Sequence, residues 1–213
     1  MVNTKILFIK KFSNKKIILF SPIRTGSTYI WNILNRYYYF DIPKKHQLKN
    51  TNNETFYVVT IRNPLDSIIS SATRYDIKLN SENVDTYINE YLVHGGNDIL
   101  NLNFDLENIL LLRYEDFAKN QEYIATNLIN FLGISYKRRL ISIIKKFNIE
   151  NVSKMSKKFD SFNEYDKKTH IHGNHISATK GSSVYKYLDK EVINLILKDK
   201  NIERIILKFD YKI

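Results

Sequence analysis

The residues best suited to chemistry lie in the stretch Ser21-Pro22-Ile23-Arg24-Thr25-Gly26-Ser27-Thr28, where a short apolar run over 16–21 gives way to a helical pattern over 26–39. A loop of this composition between a strand and a helix suits a phosphate or a similar oxyanion. Gly26 lets the backbone approach, the first helical turn offers N–H groups with no partner inside the helix, and Arg24, Ser27 and Thr28 add donors. The chemistry this implies is anion binding and the neutralising of charge on a leaving group, with Arg24 as the cation. A Walker A loop would need glycine at position 21 and lysine at position 27. The chain has Ser21 and Ser27 there, so a reading as an ATPase or GTPase loses its central lysine.

A second stretch, Arg62-Asn63-Pro64-Leu65-Asp66-Ser67-Ile68-Ile69-Ser70, closes a β-branched and aromatic run over 55–61 and opens a helix, in which proline fits the first position. Ser70 falls about two helical turns in, on a face that can return toward the strand end. Arg62 and Ser70 together suit a second phosphate. By itself the spacing also admits a structural account, in which Arg62 pairs with Asp66 and Ser70 is a packed small residue.

Positioning both stretches takes a sheet. A third apolar run over 108–112 ends at Tyr114-Glu115-Asp116 and leads to a helix over 120–132 that Gly133 stops. Three strand-to-helix units in series predict an α/β protein with a central parallel β-sheet flanked by helices. Further helices are predicted over 84–92 and 137–147. Between 151 and 183 the chain turns polar, with His170, His172 and His175, before apolar periodicity resumes over 188–197 and 202–209. The polar stretch reads as an ordered functional loop or lid.

Taken together, these stretches resemble the family of sulfotransferases that use PAPS (3′-phosphoadenosine 5′-phosphosulfate). That family's 5′-phosphosulfate loop, P-(K/R)-(S/T)-G-(S/T)-T followed by an aromatic, is similar to Pro22 through Tyr29, with one residue inserted after Pro22. Its 3′-phosphate element R-N-P-x-D-x-x-x-S is met from Arg62 through Ser70 at the same spacing, and Tyr114-Glu115-Asp116 is like its strand-ending Y-E-D. The resemblance implies a three-layer P-loop-like fold forming one sulfotransferase domain over 1–213. It implies in-line transfer of a sulfuryl group from PAPS to a hydroxyl or amine acceptor, with PAP released and no metal required. It makes Arg24, Thr25, Gly26, Ser27, Thr28, Tyr29, Arg62, Ser70 and Tyr114 the nucleotide-binding residues, with Tyr29 facing adenine. The family's late loop R-K-G-x-x-G-x-W-K is met only in part by 178–186. Lys180 and Gly181 remain as 3′-phosphate contacts, Thr179 replaces the arginine, the second glycine is missing, and the spacing is one residue shorter.

An acceptor hydroxyl needs a base. The family places a histidine in a K-T-H segment between the two phosphate elements, and Lys44-Lys45-His46 sits in that interval, which makes His46 the second catalytic candidate. A solvated His46 among lysines is the competing account, and His170, His172 and His175 are rival bases. No metal site is expected.

Composition bounds the rest. The chain has 213 residues, 43% hydrophobic and 26% charged, and 33 lysines and arginines against 22 acids give it a charge of +11. Such a chain attracts polyanions, yet the lysines are dispersed and no nucleic-acid module is present, so no specific nucleic-acid partner is expected. Without cysteine there are no disulfides and no thiolate metal site. No apolar run approaches the roughly 18 residues of a membrane span, and the opening lacks a secretory pattern, so a cytoplasmic enzyme is expected. The acceptor is not named by the sequence, with a glycan or small metabolite preferred. Two other readings stay open: a P-loop small-molecule kinase, whose metal-anchoring acid and phosphate-binding lysine have no evident position, and a non-catalytic nucleotide- or polyanion-binding protein.

Overall fold

The computed structural model describes residues 16–173 and 188–213. Four strands make one sheet: β1 (Lys16–Phe20), β2 (Lys44–Lys45), β3 (Thr55–Ile61) and β4 (Ile109–Arg113), in the order β2-β1-β3-β4. All three pairings are parallel. The apolar runs that predict β1 and β3 are those of strands covered on both faces, and their side chains alternate between two separate apolar clusters. Ile18, Phe20, Tyr57 and Val59 join one cluster, and Ile17, Leu19 and Val58 join the other.

The helices follow the strands in chain order. α1 (Ser27–Tyr38) begins at the glycine of the first loop and ends at Tyr39, whose φ of 60° stops the helix. α2 (Pro64–Thr73) is opened by Asn63, whose side chain accepts from the N–H of Leu65. α3 (Val84–Tyr91) leads into a kinked turn at Leu92–Gly96 and a short α4 (Asn97–Asn101). After β4 come α5 (Tyr114–Phe117), α6 (Gln121–Leu132), α7 (Lys137–Lys146) and α8 (Ile149–Ser156). Gly133, at φ 64°, ends α6 as expected. The last two helices are α9 (Lys190–Lys198) and α10 (Lys200–Lys208).

α1, α6 and α7 cover one face of the sheet through Ile30, Leu34, Leu128 and Ile144, and α2, α3, α9 and α10 cover the other through Ile68, Ile88, Ile196 and Ile205. This is the expected α/β arrangement of a parallel sheet between helical layers.

The structure corrects the sequence reading in two places. The polar stretch does not begin as a loop: α8 occupies Ile149–Ser156, capped by Asn148, whose side chain accepts from the N–H of Asn151. Its apolar side is too narrow to announce itself, because Val152 is its one buried aliphatic residue. The edge strand β2 is two lysines long and carries no apolar signal, yet its pairing with Leu19 and Phe20 delivers His46 to the end of β1.

The kink after α3 also serves this region. Gly95 has φ 106°, and a Cβ there would lie 2.8 Å from the carbonyl oxygen of His46 and 2.9 Å from the Cα of Pro22. The N–H of Ile23 donates to the carbonyl of His94 at 3.1 Å. Only a residue without a side chain lets this turn back both segments at once.

Candidate active site

At the carboxyl ends of β1 and β3 the first loop, the start of α1 and the last turn of α2 surround a cleft, the position in which open parallel sheets bind ligands. Gly26 is the loop's fixed point. It sits at φ 78°, and a Cβ on it would meet Tyr114 at 2.8 Å and Phe117 at 2.9 Å. Gly26→Ala is therefore expected to destabilise the fold by about 1–3 kcal/mol, the cost of a non-glycine residue in the left-handed region plus a clash. The shift of the urea midpoint at unchanged m-value checks this.

Thr25 turns the other way. Its hydroxyl is fully buried, 3.0 Å from the carbonyl of Pro22 and 2.8 Å from the hydroxyl of Thr60 on β3. Thr25 thus fastens the loop to the sheet, and only its backbone is left for a ligand. Ser27, Thr28 and Tyr29 do line the cleft. The Thr28 hydroxyl accepts from Lys44 at 3.4 Å, and Tyr29 packs against Phe117 with ring centroids 6.2 Å apart.

The two arginine-bearing stretches meet directly. Nε of Arg24 donates to the hydroxyl of Ser70 at 3.0 Å, and a guanidinium nitrogen of Arg62 donates to the backbone carbonyl of Arg24 at 3.4 Å. Arg62, only 6% exposed, lies over the ring of Tyr114 at 4.5 Å, and its Nε has no hydrogen-bond partner. These contacts join Arg62 to the first loop and to the end of β4. Glu115 holds the turn by accepting from the N–H of Asn63 at 2.8 Å, and burial raises its pKa against the pull of that bond and of Arg62.

Positive charge dominates the cleft. Burial, with Arg74 and Arg62 nearby, pushes Arg24 down to about 9. Lys44 is lowered by burial and then by Arg74. Cations crowded in this way gain from any multiply charged anion placed among them. An orphaned guanidinium nitrogen, a helix N-terminus and a glycine whose Cβ would fill the space make a cradle that fits a nucleotide carrying several phosphate-like groups.

His46 is half-buried at the cleft's edge, not a solvated loop residue. Its Nδ1 stands 2.8 Å from the carbonyl of Ser21. A carbonyl can only accept, so Nδ1 carries the proton and Nε2 the lone pair. Burial lowers the pKa below the ordinary imidazole value, the Ser21 bond opposes this, and Lys44 adds to the lowering. His46 is therefore neutral near pH 7.

Two of the rival histidines line the same cleft. His170 stacks on Trp31 at 4.4 Å, and His172 stacks on Phe162 at 4.1 Å while its Nδ1 meets the carbonyl of Phe162 at 2.7 Å. His175, Lys180 and Gly181, with the rest of 178–186, lie outside the described residues. Lys44 and Arg74 also face the cleft, and no sequence motif gives either a role. The signals were available: Lys44 precedes His46 by two, and Arg74 follows Ser70 by four, one turn along the same helical face. Among the described residues no group of three or more His, Cys, Asp or Glu side chains is gathered as for a metal, and no helix is long and apolar enough to cross a membrane.

A parallel α/β sheet with a glycine loop at a strand-to-helix junction and a second arginine at the next strand end is a P-loop-like arrangement. A family model for the sulfotransferase domain matches residues 43–199, and the chain belongs to that family. It is an enzyme that transfers a sulfuryl group from PAPS. The first loop lies ahead of the matched span, so its assignment rests on its own geometry. The crystal structure of mouse sulfotransferase SULT7A1 complexed with PAP shares the fold, with a TM-score of 0.55 and 11% identity over 92% of this chain and 88% of that one. No curated protein matches the sequence.

Proposed function

We propose that the cleft binds PAPS with its 5′-phosphosulfate on the first loop and its 3′-phosphate at Arg62 and Ser70, and that His46 activates the acceptor. The observation that carries this reading is the joined pair of arginines, Arg24 bonded to Ser70 and Arg62 bonded to the Arg24 carbonyl, in a cleft short of negative charge. In it, the backbone N–H groups from Gly26 to Thr28 and the hydroxyls of Ser27 and Thr28 hold the 5′ oxyanions. Ser70 accepts from Arg24 and so keeps its own O–H for the 3′-phosphate. Tyr29 faces adenine, Tyr114 supports Arg62 from beneath, and Lys180 and Gly181 complete the 3′-phosphate contacts.

The acceptor, a hydroxyl or amine on a glycan or small metabolite, attacks sulfur as the bond from sulfur to the bridging oxygen of PAPS breaks. Its proton passes to Nε2 of His46, and PAP leaves with the charge that Arg24 neutralises. Sulfuryl transfer asks for alignment and charge stabilisation more than for covalent help, as phosphoryl transfer does.

The test is the affinity for PAP. Arg62→Ala is expected to weaken it by roughly 1.5–3 kcal/mol, the worth of a charged hydrogen bond whose partner is lost. Calorimetry reads this directly, and equal affinity of the variant and the parent contradicts the assignment.

A further inference from the structure

Arg74 is a cation in the cleft that the donor does not account for. It lies one helical turn beyond Ser70 and is half-buried, and its Nε has no hydrogen-bond partner among the described residues. Arg24, Ser70 and Arg62 form one hydrogen-bonded unit, and no hydrogen bond joins Arg74 to it. Its guanidinium instead lies 3.4 Å from the ring centre of Phe162, which stacks at 4.1 Å and 2° on His172, which in turn stacks at 4.7 Å on Tyr165. The same segment carries His170, stacked on Trp31, and Lys44 reaches within 5.7 Å of that Trp31 ring. Arg74 is thus built into the wall that runs toward Lys44 and the base, not into the donor cradle.

A guanidinium held by its face on a ring keeps its N–H edges for a planar or tetrahedral oxyanion. We propose that Arg74, braced by Phe162, recognises an anionic group on the acceptor, a carboxylate or a sulfate or phosphate ester near the reacting hydroxyl. The acceptor class is therefore acidic hydroxyl compounds. This rests on the donor assignment above, since the acceptor enters beside bound donor. Arg74 is lowered by burial, with Glu90 opposing, and it in turn lowers Arg24 and Lys44, which agrees with a further anion being accommodated on this side.

The test uses the protein saturated with PAP and two matched pairs of probes: para-hydroxybenzoate against para-hydroxybenzamide, and glucuronate against glucuronamide. Calorimetry is expected to show at least one acid binding about tenfold or more tighter than its amide, as a charge-assisted hydrogen bond gives. Arg74→Gln is expected to reduce that preference to within about twofold, while PAP affinity at about 0.15 M salt changes less than about threefold, long-range charge effects being screened. Arg74→Lys, which keeps the charge but loses the planar fork, is expected to lie between and serves if the glutamine variant fails to fold. Absence of any acid preference in the parent protein, or its survival in the variants, overturns the proposal. So does a tenfold or greater loss of PAP affinity in Arg74→Gln, which would make Arg74 a donor residue. Failure of the parent protein to bind PAP at all overturns the donor assignment as well, and so separates the two.

Discussion

Replacing His46 with alanine is expected to lower kcat by about 10²–10⁴, the usual worth of a general base, and to leave PAP affinity nearly unchanged. The measurement is PAP release from PAPS with the best of a panel of phenol, alcohol and sugar acceptors. The geometry is specific about which nitrogen would accept the proton, because the Ser21 carbonyl at 2.8 Å fixes the proton on Nδ1. It is also specific about pH. The base must be neutral, and burial lowers its pKa below the ordinary imidazole value of about 6.5. The rate should therefore rise with pH through a midpoint below about 6.5 and be level by neutrality. An active His46→Ala enzyme would move the role to His170 or His172, whereas a midpoint above 7 would count against all three, since burial lowers His170 and His172 as well.

Arg24→Ala is expected to cost about 10²–10³ in kcat, as the loss of a donor aimed at developing charge does. The contrast with Arg62→Ala is the informative part. In the proposed arrangement Arg62 holds charge that PAP and PAPS share, so its loss is expected to show in binding, whereas Arg24 answers charge that grows as the sulfur–oxygen bond breaks, so its loss is expected to show in turnover. Arg24 stands at φ 63°, a conformation costly for any side chain. Arg24→Gly relieves that strain and should lose turnover equally if the guanidinium, not the backbone, is the cause. An Arg24 variant with full kcat and weakened PAP binding would exchange the roles of the two arginines.

Much of this site is legible in the chain because its parts are local. Strand, glycine loop and helix follow one another over 16–38, and Arg62 to Ser70 spans a strand end and two turns, so spacing alone brings the groups to one edge of a parallel sheet. What the sequence conceals is long-range or directional. Thr25 belongs to a loop of ligand donors, yet its hydroxyl is claimed by Thr60, 35 residues away. Gly95 has no motif around it, and its need for a bare backbone arises only where His46 and Pro22 meet it. The close stacking of Arg74 comes from Phe162, 88 residues further along the chain. Two lysines make the strand that sets His46 in place, and a run of lysines cannot announce an edge pairing.

The central claim is that the cleft recognises a nucleotide bearing a 3′-phosphate, and calorimetry in metal-free buffer with PAP, adenosine 5′-monophosphate and ATP tests it most directly. PAP is expected to bind tighter than the monophosphate by about 1.5–3 kcal/mol, the contribution of the charged contacts at Arg62, with ATP no better than the monophosphate. Binding of ATP as tight as that of PAP, or indifference to the 3′-phosphate, would contradict the account.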